Sequence, residues 1–275
     1  MSRYRRLARM AFAVGMIGIG VLPLVYGYQA LAFQPVPAWV PLPQSLGIVS
    51  GILMIATGAG LLFERTVRVS ILVLLPFLLL WTLTRVPAVF SQPLREISWF
   101  AIGEVAVLAA GALVIFVHHA GLRAGSGLHV ATATHGLRAA RVLLGLSLVT
   151  YGLSHFFEFR LRTISLVPAW LPFRPELAYV AGAGQIACGL GVLFGVYPRL
   201  AAATEAAILS LFAVFVWVPA VISNPGVPSN WGEGVVTAAL AGAVWVVAES
   251  VPRGSALSSS AAHFVSPSGT PDAHG

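Results

Sequence analysis

Late in the chain, Tyr151, His155 and Glu158 stand at i, i+4 and i+7, a spacing that puts all three on one face of a helix. A histidine beside an acid can hold a proton near neutral pH, and its ring can hydrogen-bond a carbonyl or a small polar ligand. Glu104, Gln185 and Glu205 lie inside long apolar runs. A carboxylate there must be neutral or paired, so Glu104 and Glu205 are candidates for proton handling, ligand binding or a structural helix–helix bond, and Gln185 for an interhelical hydrogen bond or a ligand contact. Arg85 and His155 are the expected partners of Glu104. Arg199 is the expected partner of Glu205, reached by snorkelling. Trp217 could stack on a planar ligand. Packing and interhelical hydrogen bonds are the plain alternative for each of these residues.

The elements that would position them are membrane helices. Of 275 residues, 58% are hydrophobic and 9% charged. A soluble domain carries about 25% charged residues to solvate its surface. Lipid must cover most of this one, and an all-α integral membrane fold follows. Apolar windows of about 20 residues place eight spans near 10–32, 44–63, 69–90, 97–117, 139–157, 177–197, 200–222 and 231–250. The run starting at Met10 is too long for a signal-peptide core and is read as an uncleaved first helix. Residues 118–137 are a Gly-rich linker and 254–275 a Ser/Gly/Pro-rich tail expected to be disordered.

The net charge of +7 comes from sixteen arginines and no lysine. They flank the apolar runs instead of forming one basic face, which argues against nucleic acid. With the N-terminus inside, eleven arginines are cytoplasmic and five are outside (Arg85, Arg95, Arg160, Arg162 and Arg174), so both termini are placed in the cytoplasm. Trp39, Trp99, Trp170 and Trp231 then mark the outer interface. The single cysteine, Cys188, excludes thiol–disulfide chemistry within the chain and is read as a packing residue. His118, His119, His129 and His135 lack accompanying cysteines or carboxylates, so no metal site is assigned. The spans carry no histidine pair for haem and no phosphate-binding loop, so an autonomous redox enzyme or ATPase is not expected.

The chain repeats itself. VPAWVP at 36–41 returns as VPAWLP at 167–172, and at the same offset Gly51, Gly58 and Gly60 match Gly182, Gly189 and Gly191. After one inserted residue, VPAV at 86–89 matches VPAV at 218–221. We read this as a duplication: residues 1–117 and 138–253 are two parallel four-helix bundles with the same orientation, close-packed at their glycines, with a cavity at the seam. The halves differ in chemistry. His155, Gln185, Glu205 and Trp217 stand where the register puts Leu24, Met54, Leu74 and Arg85, which favours a site in the second half.

RAARVLLGLSLVTYGLSHF at 138–156, the VPAWLP loop, AGAGQIACGLGVLF at 181–194, PRLAA at 198–202 and WVPAV at 217–221 together resemble the DoxX and DoxX-like family of four-helix membrane proteins. The first half is more divergent, with LVYGYQALAF at 24–33 in place of YGLSHF. The resemblance implies a bacterial inner-membrane protein, and for some members a link to quinone-dependent sulfur oxidation or to membrane complexes that handle oxidative stress. The expectation is a non-autonomous subunit that binds a small lipophilic or quinone-like molecule for a redox partner, with quinone the implied cofactor and His155 as hydrogen-bond donor or proton carrier. A small-solute or proton-coupled transporter with its path along the seam, and a structural or assembly subunit, are the alternatives.

Overall fold

The computed structural model describes residues 2–27, 43–119, 127–157 and 160–252, with the side chains of 43, 44 and 127–132 excepted. Trp39 and the first VPAWVP copy, Arg123, Glu158, Arg253 and the 254–275 tail lie outside the described residues, as does the side chain of His129. Every regular element among the described residues is helical: α1 Arg3–Tyr26, α2 Pro43–Leu61, α3 Val67–Ser91, α4 Glu96–His119, α5 Gly127–Ser154, the short α6 Arg160–Leu166, α7 Arg174–Phe194, α8 Pro198–Phe212, α9 Val218–Ser223 and α10 Pro228–Ser250. A π-helical turn, Ala213–Trp217, joins α8 to α9, so 198–223 runs as one rod.

Among the described residues, seven helices are long and apolar enough to cross a membrane. Helices suit that setting because each satisfies its own backbone, for which lipid offers no partners. The span expected at 44–63 is α2, whose apolar stretch, Ser45–Leu61, is shorter than the other seven. The fifth helix starts at Gly127, ten residues inside the segment expected to be linker. Between α7 and α8, Gly195 and Tyr197 take left-handed conformations at φ 74° and 45°. Pro198 then opens α8, where a missing N–H costs nothing.

The packing departs from two self-contained bundles. Helix α1 lies along α2 and α10, while α5 lies along α7 and α4. Each set of four is thus closed by a helix of the other set, and α4 and α10 also meet directly. The expected seam cavity is absent at this contact because small residues fill it. A Cβ added to Gly111 would stand 2.9 Å from the Cα of Ala243, and one added to Gly242 would stand 2.7 Å from the backbone nitrogen of Phe12. Close backbone approach of this kind is how helices gain dispersion energy in lipid.

Several contacts occur twice. Gly20 opposes Gly51 and Ile55, and Gly152 opposes Gly182 and Ile186. Gly58 opposes Ala13 and Ile17, and Gly189 opposes Gly145 and Val149. The indole of Trp99 donates to the Pro93 carbonyl at 2.8 Å, and that of Trp231 to Pro225 at 3.0 Å. Gln92 and Asn224 cap their helices with nearly the same backbone angles. These contacts also correct the register of the first helix. The residue packed on Gly51 as His155 packs on Gly182 is Pro23, not Leu24.

Arginines and carboxylates gather at the end of the bundle where α1 begins. Arg9, almost wholly buried, grips Glu64 with two hydrogen bonds of 2.7 and 3.0 Å. Arg199 pairs with Glu249 at 2.8 Å, and Arg5 donates to the Glu249 carbonyl at 3.0 Å. These bonds tie α1 to the α2–α3 turn and to α10, and α8 to α10.

Candidate functional site

A cavity of about 660 Å3 opens among α4, α5, α6, α7, α8, α10 and the π-helical turn. Its walls are mostly apolar and aromatic, including Phe100, Leu177, Phe212, Phe215, Trp170 and Trp217. Its polar side chains are Glu104, Tyr151, Ser154, His155, Thr163, Arg162, Gln185, Glu233 and Thr237. A large apolar pocket with a few convergent polar groups is the usual form of a small-molecule site.

Each wall has a local cause. Helix α5 ends at Ser154, so His155 sits in the turn that follows, one residue past the helix. The turn lets its ring lie over Gly182: a Cβ there would be 2.5 Å from the Cβ of His155. His155 also stands beside the Gln185 side chain and the Ala178 backbone. Tyr151 is one turn earlier, its ring against Phe100 of α4 with centroids 5.1 Å apart. The π-helical turn accounts for the inserted residue noted in the sequence. Between Arg68 and Pro87, α3 is unbroken α-helix, while the matching stretch from Arg199 to Pro219 has one residue more and bulges at 213–217. Such bulges recur at functional sites because they re-aim side chains without ending the helix. Here Phe215, Val216 and Trp217 of the bulge line the cavity.

Gln185 donates to Glu205 at 3.1 Å. Glu205 has no solvent exposure and lies behind Gln185, outside the lining residues. Its expected partner, Arg199, instead pairs with Glu249. The reason is position: Arg199 sits in the first turn of α8, level with the last turn of α10, one to two turns short of Glu205. Arg85 does not line the cavity, but it is near enough to Glu104 to interact with its charge. Cys188 is a free, buried thiol. His118 and His119 turn their Nδ1 atoms to carbonyls one turn back in α4. Among the described residues no three His, Cys, Asp or Glu side chains gather as a metal site.

Of the sequence candidates, the structure brings Tyr151, His155, Gln185, Trp217 and Glu104 to one cavity and sets Glu205 directly behind it. Sequence reasoning missed the rim. Arg162 of α6 forms a 2.7 Å ion pair with Glu233 of α10 at the mouth. Arg174 holds α6 in place by donating to the carbonyls of Ile164, Ser165 and Val167 at its C-terminus, which supplies partners to carbonyls a helix end leaves open. An acid two residues after Trp231 and two arginines in one short connection were the signal available for this rim.

Four buried polar atoms around the cavity make no close hydrogen bond, Tyr151 OH, His155 Nδ1, Gln185 Oε1 and Glu205 Oε2, although His155 lies within reach of the Gln185 side chain. Buried polar groups are nearly always satisfied, so four in one place mark where a ligand or water belongs.

The DoxX family model matches residues 136–218, the stretch that supplies α6, α7, α8, the π-helical turn and most of α5. Comparison with curated proteins and with solved structures gives no match.

Proposed function

We propose, taking as premise that residues 136–218 belong to the DoxX family, that this DoxX-like membrane protein holds a small lipophilic or quinone-like molecule in its second half on behalf of a separate redox partner. The chain sits in a bacterial inner membrane with both termini in the cytoplasm, and two duplicated four-helix units build it. The cavity then lies toward the outer leaflet. Tyr151, His155 and Gln185 meet the polar head of the ligand, and Phe212, Phe215 and Trp217 cover its apolar body.

One observation carries this reading: unpartnered polar atoms at the wall of a roomy, aromatic-lined cavity inside a lipid-facing fold. The twice-made glycine contacts support the duplication, and the halves divide the labour. Where the second half has Tyr151, Gln185 and Glu205, the first has Ile19, Met54 and Leu74, all essentially without exposure. A transport path along the seam has less support, because Gly111 and Ala243 close that seam.

Protein purified from its membrane should carry a stoichiometric lipophile, detected by mass spectrometry of a solvent extract. His155→Ala should lose most of it. An unchanged extract from a folded His155→Ala protein removes His155 from the site, and an empty wild-type extract that takes up no added lipophile removes the function.

A further inference from the structure

The contacts between the two sets of four helices also occur twice, but with their parts exchanged. Helices α1 and α10 cross where Gly18 faces Val235: a Cβ on Gly18 would lie 2.7 Å from Val235 Cγ1. Helices α5 and α4 cross where Thr150 faces Gly103: a Cβ on Gly103 would lie 2.9 Å from Thr150 Oγ1. The register that pairs Gly20 with Gly152 and Trp99 with Trp231 also pairs position 18 with 150 and 103 with 235. One contact is therefore made twice, with the large side chain on the fourth helix of a half in one case and on the first helix in the other. Where α4 meets α10, Gly111 faces Ala243, and the same register pairs these two positions with each other. Counterparts that touch mark a two-fold axis, as in an interface between like subunits.

Like halves fit poorly across such an interface. Two second halves would set Thr150 against Val235, both β-branched and stiff on a helix. They would set Ala243 against Ala243, where a Cβ at position 111 already stands 2.9 Å from the Ala243 Cα. They would also bring Ser147 to the place of Gly15, where a Cβ would stand 2.5 Å from the Cα of Ala239, a backbone atom that no rotamer moves. Two first halves would set Gly18 against Gly103 and Gly111 against Gly111, gaps that forfeit dispersion contacts. One half of each kind fills the crossings without overlap.

We propose that the seam is a fused dimer interface whose exchanged large and small residues make each half the fitting partner of the other in preference to a copy of itself. The inference rests on the proposed duplication. Its specificity comes from overlap in the wrong pairing as well as fit in the right one. The pairing also gives the first half a part in the cavity, because the stretch of α4 around Gly103 carries Phe100, Ala101 and Glu104 to its wall.

The test moves the large residue across each crossing in the full-length chain and reads the melting temperature of the solubilised protein. Gly18→Thr should lower it by at least about 3 °C, from the cost of overpacking in a chain of this size. Adding Val235→Gly should return most of the loss, since one glycine replaces another and the contact takes the form it has between α5 and α4. Gly103→Val should cause a similar fall, and adding Thr150→Gly should reverse it. Should Gly18→Thr not fold, Gly18→Ala sets a smaller group against Val235 and should be rescued in the same way. Tolerance of both single variants, or losses that neither second substitution returns, overturns the exchanged pairing and leaves the duplication standing on the crossings within each half. Rescue at one crossing alone breaks the equivalence of the two, and overturns the pairing and the duplication together.

Discussion

Around Gly51, Pro23 packs on the glycine and Ile19, Met54 and Leu74 fill the space with carbon. Around Gly182 the backbone contacts are the same, yet His155 packs on the glycine and Tyr151, Gln185 and Glu205 replace the three apolar residues. The difference is a handful of side chains and one inserted residue on a conserved set of helix crossings. It teaches that the crossings are set by small residues, and that what lies between them is free to change. Under the proposed duplication, one copy keeps the assembly rigid while the other carries polar groups that a tightly packed core would exclude.

The strongest way to break the comparison is to attack the shared crossing. Gly182→Leu would drive a side chain into His155 and the Gly152 backbone, an overpacking that cannot be relieved by rotamer changes alone. It should cost about 3 kcal/mol, seen as a large fall in the melting temperature of detergent-solubilised protein. Gly51→Leu should cost a similar amount, because Gly20 and Pro23 stand in the same places. A tolerated substitution at either site would mean the crossings are not equivalent in energy.

Copying the first half into the second should have the opposite sign. Gln185→Met with Glu205→Leu replaces a buried polar pair by the residues found at 54 and 74. Exchanging buried polar pairs for apolar groups of similar size is neutral or stabilising by about 1–4 kcal/mol. Glu205→Leu alone leaves the Gln185 amide without a partner and should cost about 1–3 kcal/mol. The two single variants and the double form a cycle. Favourable coupling in the double, together with loss of bound lipophile, would show that the pair is kept for its ligand. A double variant less stable than both singles would make it a structural element instead.

Much of this was legible in the sequence. Apolar run lengths gave the helices, and the matched glycines marked the crossings because glycine in a lipid-facing helix has few other uses. His155, Gln185, Glu205 and Trp217 stood out as polar or planar groups at positions held by other residue types in the first half, and Tyr151 by its helical spacing to His155. What was not legible depends on helices distant in sequence. Nothing in a run of hydropathy says that α1 closes against α10 instead of α4, because small residues pack equally well on either. That choice closes α4 on α10 at Gly111 and Ala243 and leaves the cavity between the start of α4 and the helices of the second half. The Arg162–Glu233 rim was hidden for the same reason: 71 residues separate its partners. That pair is largely exposed on the arginine side, so Arg162→Gln should change stability by less than about 1 kcal/mol. Its effect should fall instead on how fast the cavity exchanges its occupant, measured as the off-rate of a bound probe.

The smallest effect sharpens the contrast at the other end of the bundle. The hydrogen bonds from Arg9 to Glu64, helped by the nearby charge, hold that carboxyl below its ordinary value of 4.5. A carboxyl lowered on folding adds stability that is present above its unfolded value and lost as the pH falls through the folded one. Glu64 is more than half exposed, so solvent screening keeps the contribution under about 1 kcal/mol. The melting temperature of the wild type should therefore decline slightly more than that of Glu64→Gln as the pH is taken from 6 to below about 4. Arg9 would then sit buried beside a neutral partner, and the turn between α2 and α3 should loosen first. Hydrogen exchange at residues 62–66 is the direct readout, and acid-induced exchange confined to the α5–α7 side would show that this latch does not hold the first half together.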